Sequence, residues 1–308
     1  MNPVTRRDFL KLSAAAGLTS AAVPFVSRLG ATPGPLSRSA PGRLRLSMSA
    51  MSFNRYFTYN RGRKVDVAPD KALDLFKFID YCATQGIDGA EPTTYFFVED
   101  NEDYMARLRR HCFLRGVTIT SAPISNNFSL PRGPERDKDL AHVKHWIDCA
   151  EFVGAPMVRV FIGQTDKISR EEADKLAIAG LEECGEYAGK RGIFLGIENH
   201  DVTNTPARLL PIVKAVKNSW VGINLDAALD GADPYEQMPA VIPFAVNIHL
   251  KSDMMVGGKR QPVDFKRVAR LLRDGGYQGW VALKYEAQED SYVAVPRFLQ
   301  EMKAAFAA

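Results

Sequence analysis

Two carboxylates and an imidazole lie at the ends of three successive apolar runs in the second half of the chain. Glu198 closes the run IFLGIE, Asp226 closes VGINLD, and His249 follows VNI. Ligation by oxygen and nitrogen without a thiolate suits Mn²⁺ or Mg²⁺, with Zn²⁺, Fe²⁺ and Co²⁺ as competitors. We therefore expect a divalent metal site, with Mn²⁺ as first choice. The alternative is that these residues are only hydrogen-bonding groups, and for His249 taken alone that interpretation is the better one.

The last apolar run, WVALKYEA, ends in two opposite charges. Tyr285 separates Lys284 from Glu286, and side chains along a strand alternate with period two. The spacing predicts that both charges face the same side. Glu286 should then lie about 6.5 Å farther along the strand than Lys284.

The runs that carry these residues belong to a regular alternation of strands and helices. Eight short stretches rich in β-branched residues read as strands: 44–51, 87–93, 117–124, 156–163, 193–200, 221–228, 246–253 and 280–287. Helical patterns such as PDKALDLFKFIDYCATQG separate them. Eight β-then-α units predict an α/β fold, a closed (β/α)₈ TIM barrel in one domain. An open doubly wound sheet is the alternative, and the lack of a G-x-G-x-x-G after the first strand weakens it.

Further polar residues lie at the carboxyl ends of the predicted strands, where such barrels place their chemistry. Arg159 suits a substrate hydroxyl, carboxylate or phosphate, or else an ion pair with a neighbouring carboxylate such as Glu198. Lys251 is expected to stabilise an oxyanion or to offset the carboxylates. The other expected substrate-binding residues are His200, which touches substrate or supports a metal ligand, and Glu91 and Asn127, which shape the pocket.

The first forty residues differ in character from the rest of the chain. TRRDFLK places paired arginines before an apolar run that carries no charge until Arg28, and a segment rich in Pro, Gly and Ser follows. We interpret 1–40 as a twin-arginine export signal and linker, and 41–308 as the barrel. The run is too short and too weakly apolar for a stable membrane span, although retention as an anchor remains an alternative. The expected location is the periplasm or cell envelope.

Charge distribution and cysteine spacing argue against nucleic-acid binding and against disulfide bonds. The 308 residues carry a net charge of +4 with no basic run, so nucleic acid is not indicated. The four cysteines, Cys82, Cys112, Cys149 and Cys184, fall on four different predicted helices without a C-x-x-C pair. They are expected to be buried free thiols rather than disulfides.

Five motifs, in order and at barrel spacing, resemble one known family. From about Leu44 to the C-terminus, the chain resembles the sugar phosphate isomerase/epimerase superfamily of xylose isomerase-like TIM barrels. The motifs are GIDGAEP, GIENH, NLD, IHLKSD and GGYQGWVALKYE. The resemblance is closest to exported members that carry a twin-arginine signal, and it implies a possible homodimer.

The resemblance also implies a ligand set. Such barrels hold one metal with a Glu, an Asp, a His and a second Glu on strands five to eight, which assigns Glu198, Asp226 and His249 to ligation. This chain departs from the pattern where Lys284 takes the position of the second glutamate, and Leu229 stands where many members carry a histidine. Because an ammonium cannot ligate a metal ion, either Lys284 is deprotonated or another residue, with Glu286 the candidate, is the fourth ligand.

The predicted function is an exported, divalent-metal-dependent isomerase or epimerase that acts through an enediolate on a monosaccharide, ketosugar or cyclitol. Glu198 would be both ligand and acid/base, and Lys284 or Glu286 would act on the opposite face of the sugar. A lyase or dehydratase on a keto-sugar or keto-cyclitol is one alternative. The other is a noncatalytic carbohydrate-binding barrel with a degenerate metal site. A nuclease of the endonuclease IV type needs more histidines than the five present.

Overall fold

The computed structural model describes residues 34–36, 38 and 43–307. The predicted export signal and most of the predicted linker therefore lie outside the described residues and stay a prediction. Within the described residues, no helix combines the length and the apolar character that crossing a membrane requires.

Eight parallel strands form a single curled sheet. In chain order they are β1 (Leu44–Ser49), β2 (Gly89–Glu91), β3 (Thr118–Ile119), β4 (Met157–Val160), β5 (Phe194–Glu198), β6 (Val221–Asp226), β7 (Ala245–Leu250) and β8 (Gly279–Leu283). Their order across the sheet is β3-β2-β1-β8-β7-β6-β5-β4. Strands that follow one another in the chain are thus hydrogen-bonded neighbours, except β3 and β4, and β1 pairs with β8.

Two backbone hydrogen bonds close the sheet into a barrel. The continuous pairing of strands ends at β3 on one side of the sheet and at β4 on the other. The chain just after β3 nevertheless meets β4, because Ala122 N–H donates to Met157 O at 3.0 Å and Ile124 N–H donates to Arg159 O at 3.0 Å. The predicted (β/α)₈ barrel is confirmed, and no open edge is left for a doubly wound sheet.

Helices cover the outside of the barrel. In the described part of the chain they are α1 (Leu75–Thr84), α2 (Glu102–Arg115), α3 (Pro134–Val153), α4 (Arg170–Gly189), α5 (Pro206–Ala215), α6 (Pro234–Val241), α7 (Phe265–Asp274) and α8 (Ser291–Ala307). The side chains of Asn101, Ser169 and Asp264 each accept from a backbone N–H of the first turn, which fixes where α2, α4 and α7 begin. The four cysteines lie buried on α1 to α4 as free thiols, as predicted.

The elements are shorter than the sequence pattern predicts. Strand β1 ends at Ser49, and Ala50–Tyr56 turns into a 3₁₀ helix instead of extending the strand to residue 51. Helix α1 begins at Leu75 rather than near residue 69, because Asp74 adopts an extended backbone and caps Lys77 N–H. Strand β8 ends at Leu283, so Lys284 and Glu286 lie in the loop that follows it. The apolar runs continue past the last ladder hydrogen bonds, which is why the boundaries shift.

Candidate active site

Register brings the predicted ligands side by side at one mouth of the barrel. Asp226, the last residue of β6, pairs with His249 on β7, and His249 pairs in turn with Ala282 on β8. Glu198, the last residue of β5, pairs with Asn224, two residues before Asp226. Since side chains two residues apart share a face, these groups all point into the barrel. All of them are buried.

Two cations hold the carboxylate of Glu198, one on each oxygen. Oε1 lies 2.7 Å from Nζ of Lys284, and Oε2 lies 3.0 Å from Nε of Arg159. Arg159 is fixed in turn, because its Nη1 donates to Ile124 O at 2.8 Å and its guanidinium lies over the ring of Phe161. The ion pair with Glu198 that sequence reasoning allowed for Arg159 is thus the one formed.

His249 connects Glu198 to a deeper polar layer. Its Nε2 lies 2.8 Å from Oε1 of Glu91, and its Nδ1 lies 3.2 Å from Oε1 of Glu198. Asn247 donates from Nδ2 to Glu91 at 3.0 Å and to the side-chain oxygen of Asn224 at 2.7 Å. Glu91 therefore orients His249 from below instead of lining the pocket.

Opposite charges set the pKa values of this buried cluster. Burial disfavours the charged form of Glu198, but Lys284 and then Arg159 outweigh burial and hold the pKa of Glu198 well below its ordinary value. Burial also disfavours the imidazolium of His249, but Glu91 and Glu198 outweigh it and raise the pKa of His249 to about 9. Since it is already held in its charged form, Glu198 is a weak base in this arrangement.

Lys284 is held by two carboxylates. Besides its contact with Glu198, its Nζ lies 3.5 Å from Oδ2 of Asp226. Desolvation of the ammonium is outweighed by Glu198, Asp226 and Glu286, so the pKa of Lys284 is raised above its ordinary value. The deprotonated lysine considered from the sequence is therefore disfavoured in this arrangement.

Glu198, Asp226 and His249 form a group that could hold a divalent ion. One donor atom from each lies within 4.8 Å of those of the other two. Carboxylate and imidazole donors suit Mg²⁺, Mn²⁺ or Zn²⁺. The fit is incomplete at the fourth position, because the ammonium of Lys284 already contacts two of these three ligands. Glu286 does not belong to the group, so its role as fourth ligand stays a prediction.

Glu286 lies at the rim of the site, paired with Lys251. Nζ of Lys251 lies 3.1 Å from Oε2 of Glu286 and 3.5 Å from Oδ2 of Asp226. The side chain of Glu286 is 37% exposed, in contrast to 1% for Glu198. Lys284 and Glu286 both line the same pocket, although both lie beyond the end of β8. Lys251 offsets carboxylates, one of the two roles that the sequence allowed.

The pocket above these groups has a volume of about 330 Å³, at the lower end of the range for small-ligand sites. Among its lining residues are Arg159, Glu198, Lys284, Glu286, Asn127 and His200. Asn127 is held by its own loop, since its Nδ2 donates to Gln164 O at 2.7 Å and its Oδ1 accepts from Ser129 N–H at 3.0 Å. It forms part of the wall of the pocket.

His200 lies on the pocket wall and pairs with Asp201 rather than with Glu198, Asp226 or His249. Its ring packs against Phe161, and its Nδ1 lies 2.8 Å from Oδ2 of Asp201. A neighbour of His200 takes the supporting role instead. Asn199 donates to the backbone oxygen of Asp226 at 2.8 Å and accepts from its N–H at 2.8 Å.

Sequence reasoning missed several residues of the site. Asn224 and Asn247 each lie two residues before a predicted ligand, so strand alternation could have placed them on the same face. Arg61 and Tyr95 also line the pocket. The guanidinium of Arg61, in a hairpin turn, lies 3.8 Å from the centroid of the ring of Tyr95, in a short 3₁₀ helix, and no sequence pattern predicts this contact.

Solved structures with this fold include sugar epimerases. D-psicose 3-epimerase, solved in the presence of D-fructose, is 16% identical to this chain, with coverage of 85% of this chain and 97% of that one and a TM-score of 0.66. The 3-keto-D-glucoside 4-epimerase from E. coli is 14% identical, with coverage of 85% and 100% and a TM-score of 0.65.

A xylose isomerase-like TIM barrel protein from Mycobacterium smegmatis, solved in complex with magnesium, is 21% identical, with coverage of 86% and 97% and a TM-score of 0.64. A search of curated proteins by sequence returned no significant match. A family model described as xylose isomerase-like TIM barrel matches residues 79–302. That span exceeds half of the chain, and the chain therefore belongs to the xylose isomerase-like TIM barrel family.

Proposed function

We propose that this protein is a sugar isomerase or epimerase that moves a proton at a carbon next to a carbonyl of a monosaccharide, ketosugar or cyclitol. The observation that carries the proposal is the arrangement of Lys284 and Glu286 in one pocket. A buried ammonium held by two carboxylates lies beside a partly exposed carboxylate, Glu286, that pairs with Lys251. An oxyanion stabiliser and a proton carrier are the two groups that such a reaction needs.

The names of proteins with similar folds support this class of reaction. One is a D-psicose 3-epimerase and another is a 3-keto-D-glucoside 4-epimerase. Both names describe the inversion of a hydroxyl-bearing carbon in a sugar that contains a ketone. Their sequence identity to this chain supports a shared fold, so the ketosugar substrate is our proposal for this protein.

Loss of a proton next to a carbonyl leaves an enediolate, whose oxygen carries the developing negative charge. The Nζ of Lys284 has a hydrogen available for that oxygen in addition to those directed at Glu198 and Asp226, because an ammonium carries three. A cation fixed in a buried site stabilises such a charge more effectively than a solvated one. Lys284 is therefore assigned to the oxyanion.

Glu286 is assigned to the proton. Glu198, the acid/base predicted from the sequence, is held by cations on both oxygens and is the weaker candidate. Glu286 keeps part of its surface open to the pocket and to solvent, so it could exchange a proton with both. General acid–base catalysis of this kind contributes about 10²- to 10⁴-fold to a rate.

The site could have either of two cations between Glu198 and Asp226, the ammonium of Lys284 or a divalent metal ion. A divalent ion would be held by Glu198, Asp226 and His249, and when bound it would polarise the sugar carbonyl. Mn²⁺ is our first choice from the sequence, with Mg²⁺, Zn²⁺, Co²⁺ and Fe²⁺ as alternatives. The role of Glu286 does not depend on which of these ions is chosen.

A lyase or dehydratase is the second candidate, and Lys284 favours it. An enediolate with a leaving group on the next carbon can eliminate it instead of being reprotonated. The ammonium of Lys284 lines the pocket and could donate a proton to the departing oxygen. The same site thus serves two reactions that differ only in the fate of the intermediate.

Product analysis on a panel of sugars tests the function. Purified full-length protein is incubated with ketopentoses, ketohexoses, 3-keto-glycosides and keto-cyclitols, and products are identified by NMR. We expect a change of configuration or carbonyl position at adjacent carbons. An unsaturated product would favour the lyase, and binding without any product would favour a noncatalytic barrel.

Two matched variants make this test specific. Glu286→Gln should reduce turnover by about 100-fold or more. Glu289→Gln changes a glutamate of the same loop that pairs with Arg297 outside the pocket, and it should leave turnover unchanged. Equal effects of the two variants would contradict the role of Glu286.

Two further expectations remain proposals. The paired arginines Arg6 and Arg7 support export by the twin-arginine machinery to the periplasm or cell envelope. Cell fractionation of the wild type and of an Arg6→Lys, Arg7→Lys variant tests this, since the variant should stay in the cytoplasm. A homodimer is the expected assembly, and light scattering of the purified protein tests it.

A further inference from the structure

We propose that the ammonium of Lys284 is the resident cation of this site and takes the place of a divalent ion between Glu198 and Asp226. This inference rests on the proposed function and names the group that stabilises the oxyanion. It predicts that the protein acts on its sugar without a bound metal.

Lys284 contacts both carboxylates that a metal ion would need. Its Nζ lies 2.7 Å from Oε1 of Glu198 and 3.5 Å from Oδ2 of Asp226. These are the two carboxylates of the group that could hold a divalent ion. A divalent ion bridging the same carboxylates would have to lie next to the ammonium. Like charges at such a separation repel strongly in a buried site. The ammonium and the ion are therefore competitors for the same carboxylates.

Lys284 is also poorly placed to move away. It follows β8 directly, and its N–H donates to Leu250 O at 2.8 Å, which continues the pairing of β8 with β7. Its side chain is only 9% exposed. A lysine on a surface loop could swing into water when a metal binds, whereas this one is enclosed by the barrel mouth.

Charge in the cluster is already nearly balanced. Four carboxylates, Glu91, Glu198, Asp226 and Glu286, meet three cations, Arg159, Lys251 and Lys284, and the imidazole of His249. Each carboxylate has at least one basic partner. A divalent ion added to this set would leave an excess of positive charge in a buried site. Such an excess is costly because burial removes the water that would screen it.

His249 is held in place by neighbouring side chains. Its Nε2 lies 2.8 Å from Glu91, and its Nδ1 lies within 3.2 Å of both Oε1 of Glu198 and Nδ2 of Asn224. Both ring nitrogens thus have partners in the polar layer. Metal binding would have to break one of these contacts in addition to displacing Lys284 from Glu198.

Metal binding, measured without any sugar, tests the inference. Full-length protein is stripped with EDTA and titrated with Mn²⁺ and with Zn²⁺ by calorimetry, and its metal content after dialysis is measured by mass spectrometry. The wild type should retain far less than one ion per chain. The Lys284→Glu variant supplies the missing carboxylate and should bind at least about 100-fold more tightly, with one ion per chain.

Lys251→Glu is the matched control, because it makes the same change of charge in the same cluster at a lysine that contacts Asp226 and Glu286 but not Glu198. Its affinity for Mn²⁺ and Zn²⁺ should rise much less than that of the Lys284→Glu variant. Should Lys284→Glu fail to fold, Lys284→Met removes the competing ammonium alone and should also bind metal more tightly than the wild type.

The inference is overturned if the wild type retains about one tightly bound ion per chain, or if neither Lys284 variant binds metal more tightly than the wild type. These readouts need no substrate, so their failure leaves the proposed function standing. A protein with the expected metal behaviour that converts no sugar would overturn the proposed function instead.

Discussion

Arg159 and Glu198 form an ion pair buried in the barrel mouth, with Nε of Arg159 3.0 Å from Oε2 of Glu198. Removal of Arg159 would leave that oxygen buried without a cation. We expect Arg159→Met to lower the free energy of unfolding by about 3–5 kcal/mol, the usual cost of breaking a buried pair from one side. Urea unfolding followed by circular dichroism measures it.

Two comparisons make that result specific to the pair. Lys175→Met breaks an exposed pair with Glu171 and should change the free energy of unfolding far less than Arg159→Met does. In a double-mutant cycle, Glu198→Gln should recover part of the loss caused by Arg159→Met. A loss below about 1 kcal/mol for Arg159→Met would contradict the assignment, because it would place this pair among exposed ones.

Gly163 allows Asn127 to form the wall of the pocket. Its φ is +79°, and a Cβ there would lie 2.1 Å from Oδ1 of Asn127 and 2.8 Å from its Cα. We expect Gly163→Ala to push the Asn127 loop away, to weaken sugar binding and to destabilise the fold by about 1–3 kcal/mol. Thermal unfolding and ligand titration measure the two effects.

Gly116 offers a control for the backbone alone. Its φ is +66°, and a Cβ there would meet nothing within 4 Å. Gly116→Ala should therefore destabilise the fold by about 1 kcal/mol and leave sugar binding unchanged. Equal loss of sugar binding in the two variants would show that the contact with Asn127 does not shape the pocket.

Asp290 ties the loop after β8 to the segment that follows the neighbouring strand β1. Hydrogen bonds from Lys71, Tyr56 and the N–H of Tyr292 lower its pKa from 3.8 to about 2. Because the folded-state pKa is the lower one, this stabilisation is complete above pH 3.8 and is lost as the pH falls through about 2. Asp290→Asn should remove this part of the acid sensitivity.

The measurement is the free energy of unfolding at several pH values between 5 and 2.5. The difference between wild type and Asp290→Asn should shrink as the pH falls, since the protonated aspartate and the asparagine are both neutral. Asparagine also remains a good residue at the start of α8, so helix capping is retained. A difference that stays constant over this range would contradict the lowered pKa.

The architecture was predictable from the chain because each strand is an apolar run followed by a polar strand end. The sequence also predicts that three strand-end residues, Glu198, Asp226 and His249, lie close together, because parallel strands bring their carboxyl ends to one mouth of the barrel. Strand boundaries were not predictable. The apolar pattern of β3 extends to residue 124, whereas only Thr118–Ile119 lies in the ladder and the rest closes the barrel through isolated hydrogen bonds.

Which charged side chains pair with one another could not be predicted from the sequence. Lys284 was recognised as a departure from the family pattern, but its contact with Glu198 spans 86 positions of the chain. The contact between His249 and Glu91 spans 158. Such pairs depend on strand register and barrel closure, which no local pattern encodes. Glu91 was accordingly expected in the pocket wall, whereas it lies fully buried against His249.

The central claim is a proton transfer next to a sugar carbonyl, and solvent hydrogen exchange tests it most directly. The protein is incubated in D₂O with the sugar that it converts, and deuterium is located by NMR. The wild type should place deuterium on the carbon next to the carbonyl, and Glu286→Gln should slow this by about 100-fold or more. Conversion without deuterium at that carbon would contradict the account.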